Sequence, residues 1–354
     1  MTQAPEIQSE TRPEAAGGLA HKLLKTIPGF AISAFFLWRT FFPHNHPVIS
    51  RQQLQSMRLV GPAWTIGLVV FSIASYTLRS ARWTRMMRSA GSSFKDCARI
   101  LLSSLAANNI LPLRIGDIMR VFTYSQELNS TPSFILSTVI LEKLLDIFVL
   151  SMLFIATIAS TISPKLRAGA DLAAGISAAM ILTLLLGART LAGPLSRLFA
   201  KLPQAGILTK LEHWILLALD CIRQIGLAGT FTLLLYTCAI WTVEVFTYLS
   251  LARMLGLVTD ALGPFNAVAF VNLSFLIPSS PGGIGPFEAA AQKSLSTHGA
   301  NPGAAALYGL ALHLWMLVTI TGVGGAWFLY HRYHLSQRKP LLTEIESLPD
   351  ELPG

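Results

Sequence analysis

Three groups of polar residues interrupt the apolar runs of this sequence, each where charge is expensive. An ionisable side chain inside a membrane segment costs about 2.5–3.5 kcal/mol on insertion scales, so each one needs a reason. The first group lies in Asn109-Ile110-Leu111-Pro112-Leu113-Arg114-Ile115-Gly116-Asp117-Ile118-Met119-Arg120. Arg114 and Arg120 follow the Pro112 break and could together hold a phosphate through charge-assisted, often bidentate hydrogen bonds. The same residues also fit a basic flank in which Asp117 pairs locally. The second group is Glu142, Lys143 and Asp146. Glu142 and Asp146 stand at i,i+4 and share one helix face. That face either turns toward the arginines of the first group or forms a structural ion-pair network, and the two roles are compatible. The third group is the loop from Pro278 through Pro281, Gly282, Gly283 and Gly285 to Glu288. Its glycines leave backbone N–H groups accessible, and a helix beginning near Pro286 points its positive end at the loop tip, which favours an anion. Glu288 either belongs to that site or complements the helix dipole.

Glu244 and His313, both within apolar segments, are weaker candidates. Arg82-Trp83 reads as an interfacial anchor, with the arginine reaching toward water. The pairs His44/His46 and His331/His334 lack further ligands, and Cys97, Cys221 and Cys238 are scattered, so neither a metal site nor a disulfide framework is expected. No phosphate-binding glycine loop and no Ser/His/Asp or Cys/His arrangement is present. The expectation is a protein that is not an enzyme and has no cofactor.

The elements that position these residues follow from hydropathy. Apolar residues make up 52% of 354 positions and charged residues only 13%, with a mean hydropathy of +0.54. A soluble domain carries about 25% charged residues. The apolar runs fall at 27–42, 61–78, 97–113, 134–160, 171–188, 228–252, 263–280, 284–298 and 303–330, and several approach the roughly 20 residues needed to cross hydrocarbon. The net charge of +9 comes largely from basic residues that flank these runs, a cytoplasmic-face signature rather than a nucleic-acid one.

Lysine and arginine set the orientation. Arg79, Arg82, Arg85, Arg88, Lys95 and Arg99 make the strongest inside signal; Arg189, Arg197, Lys201, Lys210 and Arg223 make a second, and Arg332, Arg338 and Lys339 a third. Three apolar runs separate the first two inside loops, and an odd number of crossings cannot return to the same face. The 97–113 run, broken at Pro112, is therefore expected to enter and leave by one side. The same parity argument makes the Pro- and Gly-rich 278–288 region a hairpin dipping from the opposite side. The fold expected is an all-α polytopic membrane protein with about six spanning helices and two re-entrant hairpins in an inverted repeat. Residues 1–24 are expected to be a disordered cytoplasmic N-terminus, 25–330 the membrane domain, and 331–354 a cytoplasmic tail. Within the domain, Leu208, Leu211, Ile215, Leu219, Ile222 and Ile225 recur at helical spacing, so 206–225 reads as a cytoplasmic amphipathic helix.

Taken in order, Ser80-Ala81-Arg82-Trp83, the Asn109–Arg120 stretch, Leu141-Glu142-Lys143-Leu144-Leu145-Asp146 and Pro281–Glu288 resemble the lysylphosphatidylglycerol synthase transmembrane-region family, also called flippase-like domain proteins. The resemblance spans roughly residues 25–330. It implies a region associated with moving a modified lipid across the bilayer. In the family's best-known member this region is joined to an aminoacyl-transferase domain. Here the sequence ends at Gly354, soon after its last apolar run, so the expectation is the transport part without the transferase. Lys143 stands where the family pattern commonly has arginine, which keeps the charge but loses planar bidentate pairing.

The expected function is translocation of a polar-headgroup lipid across the bacterial inner membrane, with both termini cytoplasmic. The expected partners are a phosphate-bearing membrane lipid and a separate lipid-modifying enzyme, with no nucleic acid. The alternatives are a membrane-embedded glycosyl- or phospho-lipid transferase and a non-catalytic scaffold of a lipid-modifying complex.

Overall fold

A computed structural model describes residues 15–43, 47–50, 61–111, 114–158, 175, 178–179, 197, 206–257, 260–275 and 277–346. Pro112, most of the 171–188 run and, Arg197 apart, the 189–205 part of the second basic loop lie outside the described residues. Every regular element among them is a helix: α1 (Ala15–Phe41), α2 (Pro62–Met86), α3 (Phe94–Ile110), α4 (Ile115–Phe122), α5 (Pro132–Ile158), α6 (Gly206–Met254), α7 (Leu262–Ser274), α8 (Pro286–Thr297), α9 (Pro302–Met316) and α10 (Val323–Glu346). A π-helical turn, Leu317–Gly322, joins α9 to α10. Helix α1 begins ahead of the boundary at 24 expected from composition, and α10 continues past 330.

The element ends follow local chemistry. Ser93 caps α3 by accepting the Asp96 N–H at 3.2 Å. Leu111, which precedes Pro112, is extended at φ −97°, ψ 145°, as the proline ring requires of its neighbour. Proline opens α2, α8 and α9, where its missing N–H costs nothing. Gly226, at φ 78° and ψ 166°, breaks α6 just after the amphipathic stretch, separating 206–225 from the apolar helix that follows.

Among the described residues, Ala228–Met254 and Pro302–His334 are long and apolar enough to cross a membrane, and Ile27–Phe41 is a shorter apolar helix. Helices α2 and α5 are also long, at 25 and 27 residues, but α2 carries Arg79, Arg82 and Arg85 toward its end and α5 carries Glu142, Lys143 and Asp146 in mid-run. Helix α6 packs along both of them, which brings those charges together. Helices α7, α8 and α9 pack in succession, α3 folds against α4 and α10, and α1 lies on α8. Two apolar cores result: one around Trp83, Ile100, Ile135 and Leu233, the other around Trp241, Val268, Phe287 and Tyr308. Phe30, Trp38, Ile66, Val70 and Ile73 point outward from α1 and α2, a polarity that water would penalise and hydrocarbon favours.

The two interrupted regions meet. A Cβ placed on Gly282 would stand 3.3 Å from the Asn109 carbonyl oxygen, so the 281–283 turn abuts the end of α3. At the first break, Gly116 sits directly against the Ser104 carbonyl oxygen and leaves no room for a side chain. That close approach lets α4 fold back along α3.

Candidate functional site

Where the two breaks meet, they wall a cavity of about 680 Å³. Its lining includes Asn109, Arg114, Lys143, Asp146, Pro278, Pro281, Gly282 and Gly283 from the residues marked in the sequence. Arg114 takes the left-handed conformation at φ 53°, ψ 43°, which turns the chain from the break into α4. Its guanidinium lies 5.5 Å from the Phe275 ring centroid, on the second break, and no carboxylate among the described residues pairs with it. A cation–π contact of this kind contributes about 0.5–1 kcal/mol. It leaves the donors of Arg114 available to a ligand.

The remaining charges are held by one another. Arg82, 1% exposed, donates to both oxygens of Asp146 at 2.7 and 3.2 Å and to Thr237 at 2.9 Å. Trp241 Nε1 also donates to Asp146, at 3.2 Å. Arg120 donates to Glu142 at 3.3 Å and lies 4.8 Å over the Trp83 ring. Lys143 reaches Asp117 at 3.7 Å and Glu142 at 3.9 Å. The i,i+4 pair thus faces arginines on two different helices, Asp146 toward Arg82 of α2 and Glu142 toward Arg120 of α4 and also, at 3.7 Å, toward Arg82. The Arg82-Trp83 pair does not reach toward water, because a carboxylate on α5 and a hydroxyl on α6 complete its coordination inside the protein. Arg120 is likewise enclosed, and it is absent from the cavity lining. Of the two arginines in the first group, only Arg114 faces the cavity.

In the third group, Pro278, Pro281, Gly282 and Gly283 line the cavity, while Glu288 is held at the start of α8. Glu288, 3% exposed, accepts the Gly285 N–H at 2.7 Å and pairs with His313 Nδ1 at 2.6 Å. The His313 ring stacks on Phe287 with centroids 4.4 Å apart. This carboxylate fastens the start of α8 to α9. Gly283 has φ 75° and a Cβ there would meet the Phe275 ring at 2.6 Å. Gly285 has φ 98° and a Cβ would meet the Ser33 carbonyl oxygen at 2.5 Å. Their lack of a side chain serves the turn and its contact with α1, since the obstructing atoms belong to the protein. Ser33 completes that contact: its Oγ accepts the Ser280 N–H at 2.9 Å and bonds Ser280 Oγ at 2.9 Å.

Sequence reasoning missed one part of the lining. Arg79, counted there as an orientation charge, pairs with Glu244 at 3.4 Å and lies 4.8 Å over the Trp241 ring. Asn108, Tyr76, Tyr248 and Trp315 also border the cavity. Arg79 stands one turn before Arg82 on α2, and Glu244 stands alone in an apolar run. Two unexplained opposite charges in separate spans are the signal that pairs them.

The sequence profile of the family described as "Lysylphosphatidylglycerol synthase TM region" matches residues 27–324. The chain belongs to that family. Both breaks, the charged positions of α2 and α5, and the whole cavity lie inside the matched region. As a member, it is a helical membrane protein with a membrane-lipid role. Neither the curated proteins nor the solved structures compared with the chain contain a match.

Proposed function

We propose that this protein translocates a lipid with a phosphate-bearing headgroup across a bacterial inner membrane, without making or breaking a covalent bond. The observation that carries the proposal is Arg114, a cation lining a cavity of about 680 Å³ with no carboxylate pairing it among the described residues. Phosphate oxygens suit a guanidinium fork, and the lipid tails stay in hydrocarbon while the headgroup occupies the cavity. The carboxylates nearby support transport over transferase chemistry. Glu142, Asp146, Glu244 and Glu288 are each engaged by an arginine or a histidine rather than poised alone.

In this reading α3–α4 and α7–α8 are re-entrant hairpins entering from opposite faces, within six spans whose termini are both cytoplasmic. Their meeting point puts the headgroup site near the midplane between two inverted halves. A separate enzyme modifies the lipid that this protein moves.

The test is lipid translocation by the purified protein in liposomes, followed by quenching of a fluorescent phospholipid on one leaflet. Arg114→Ala should slow translocation at least tenfold, the effect of losing one charge-assisted hydrogen bond of about 1.5–3 kcal/mol. Arg85→Ala, at an exposed position, should leave it unchanged. Equal rates for wild type and Arg114→Ala would remove the phosphate anchor.

A further inference from the structure

A second part of the cavity lining lies between α2 and α6 and is built to a different chemistry. Glu244 Oε2 accepts Ser75 Oγ at 2.6 Å and Arg79 Nη2 at 3.4 Å. Both bonds fall on one oxygen; Oε1 carries no hydrogen bond among the described residues, and the Glu244 side chain keeps 21% of its exposure. Tyr76 and Trp315, which also line the cavity, have their polar atoms engaged, Tyr76 with Thr319 at 3.0 Å and Trp315 with Ser72 at 2.9 Å. They therefore contribute mainly ring surface beside an open carboxylate oxygen.

We propose that this is a second headgroup subsite, taking the hydroxyl-bearing part of the lipid, a glycerol or sugar-like polyol. It rests on the reading of the cavity as a headgroup site. A carboxylate oxygen enclosed with a ligand demands a donor, because an unmet acceptor loses its hydration without return. The donor is a neutral hydroxyl rather than an ammonium. Arg79 already compensates the charge of Glu244, Arg82 that of Asp146, Asp117 and Glu142 that of Lys143, and the lipid phosphate would compensate that of Arg114. A further cation would add charge that nothing lining the cavity balances. Polyols also present C–H faces to aromatic rings while their hydroxyls bond at the rim, which matches ring walls around a single open acceptor.

The experiment measures binding of four dioleoyl lipids to the purified full chain in detergent: phosphatidic acid, phosphatidylethanolamine, phosphatidylglycerol and phosphatidylinositol. The two polyol lipids should bind roughly tenfold more tightly than phosphatidic acid, the gain of one hydrogen bond to a charged acceptor. Glu244→Ala should abolish the preference, read as the ratio of their affinities to that of phosphatidic acid in the same variant, since freeing Arg79 acts on every phosphate-bearing lipid. Glu244→Gln, whose amide oxygen still accepts, should keep part of the preference. Phosphatidylethanolamine binding most tightly, with that advantage lost in Glu244→Gln, would make this an ammonium subsite and overturn the proposal. So would equal affinity of the wild type for all four lipids, or an equal weakening of all four by Glu244→Ala. A polyol preference that persists in Arg114→Ala with overall affinity unchanged would uphold the polyol subsite while removing the phosphate anchor.

Discussion

Arg82 and Asp146 show how a charge survives in a helix that is otherwise apolar. The bidentate geometry, with Thr237 and Trp241 adding one hydrogen bond each, compensates two desolvated groups. Arg82→Ala leaves Asp146 buried without a cation, and Asp146→Ala leaves Arg82 only Glu142 at 3.7 Å; breaking a buried pair of this kind costs about 3–5 kcal/mol. Asp146→Ala and Arg82→Ala should each lower the melting temperature of the purified protein sharply. The double variant should lose clearly less than the sum of the two, and strict additivity in thermal melts would show that the pair is not coupled. Gly283 and Gly285 pose a different question. Both hold φ values that a side chain rarely adopts, and a Cβ at either would strike Phe275 or Ser33. Gly285→Val should therefore lose stability, whatever the assay lipid. A Gly285→Val protein with wild-type melting and normal folding would show that the turn tolerates displacement from α1.

Among the elements, α10 packs backbone to backbone on α3, a re-entrant candidate. Gly324 stands directly against the Leu102 carbonyl oxygen of α3, with Ala106 also within 3.0 Å of any Cβ placed there. Small residues at such crossings let backbones approach and gain dispersion contacts that larger ones forbid. Gly324→Val should cost about 1–3 kcal/mol by overpacking, read as a lower melting temperature. Gly325→Val, with nothing within 4 Å of its Cβ position, should be neutral by the same measurement. Equal behaviour of the two variants would mean that α10 does not bear on α3 as described. Glu288 does comparable work for α8, joining its first turn to His313 of α9. The two interrupted regions are thus fastened from behind by α10 and α9, which fixes where their tips meet.

For the whole molecule, orientation in the membrane is the property that the proposed transport needs most. Basic residues crowd the end of α2 and the loop after it, including exposed Arg85 and Arg88, and such clusters favour the cytoplasmic side, where this loop is expected. Asp260, at the start of α7, should face the opposite compartment. Single cysteines at Ser92 and Asp260, in a background lacking the native cysteines, should label from opposite sides of sealed vesicles. Labelling of both from one side would remove the inverted arrangement of the two breaks, and with it the midplane cavity as a crossing point.

The sequence by itself determined the membrane class and the positions of the breaks. Length of apolar run, proline and glycine are local properties: Pro112 forces Leu111 out of the helix, and Pro281, Gly282, Gly283 and Gly285 keep the chain out of a regular α-helix until Pro286 opens α8. It also marked Glu142 and Asp146 as one helix face and ended the amphipathic segment at Ile225, next to the residue where Gly226 breaks α6 in the structure. The pairing of charges was decided only by tertiary structure. Arg82, Arg114 and Arg120 are chemically identical side chains near similar motifs, yet two are sealed by carboxylates of α5 and one is left facing the cavity. That difference comes from which helices pack together and at what rotation, a relation between residues far apart in the chain that no local spacing encodes. The same reason hid the Arg79–Glu244 pair: its two charges lie on separate helices, and only the packing of α2 along α6 places them 3.4 Å apart.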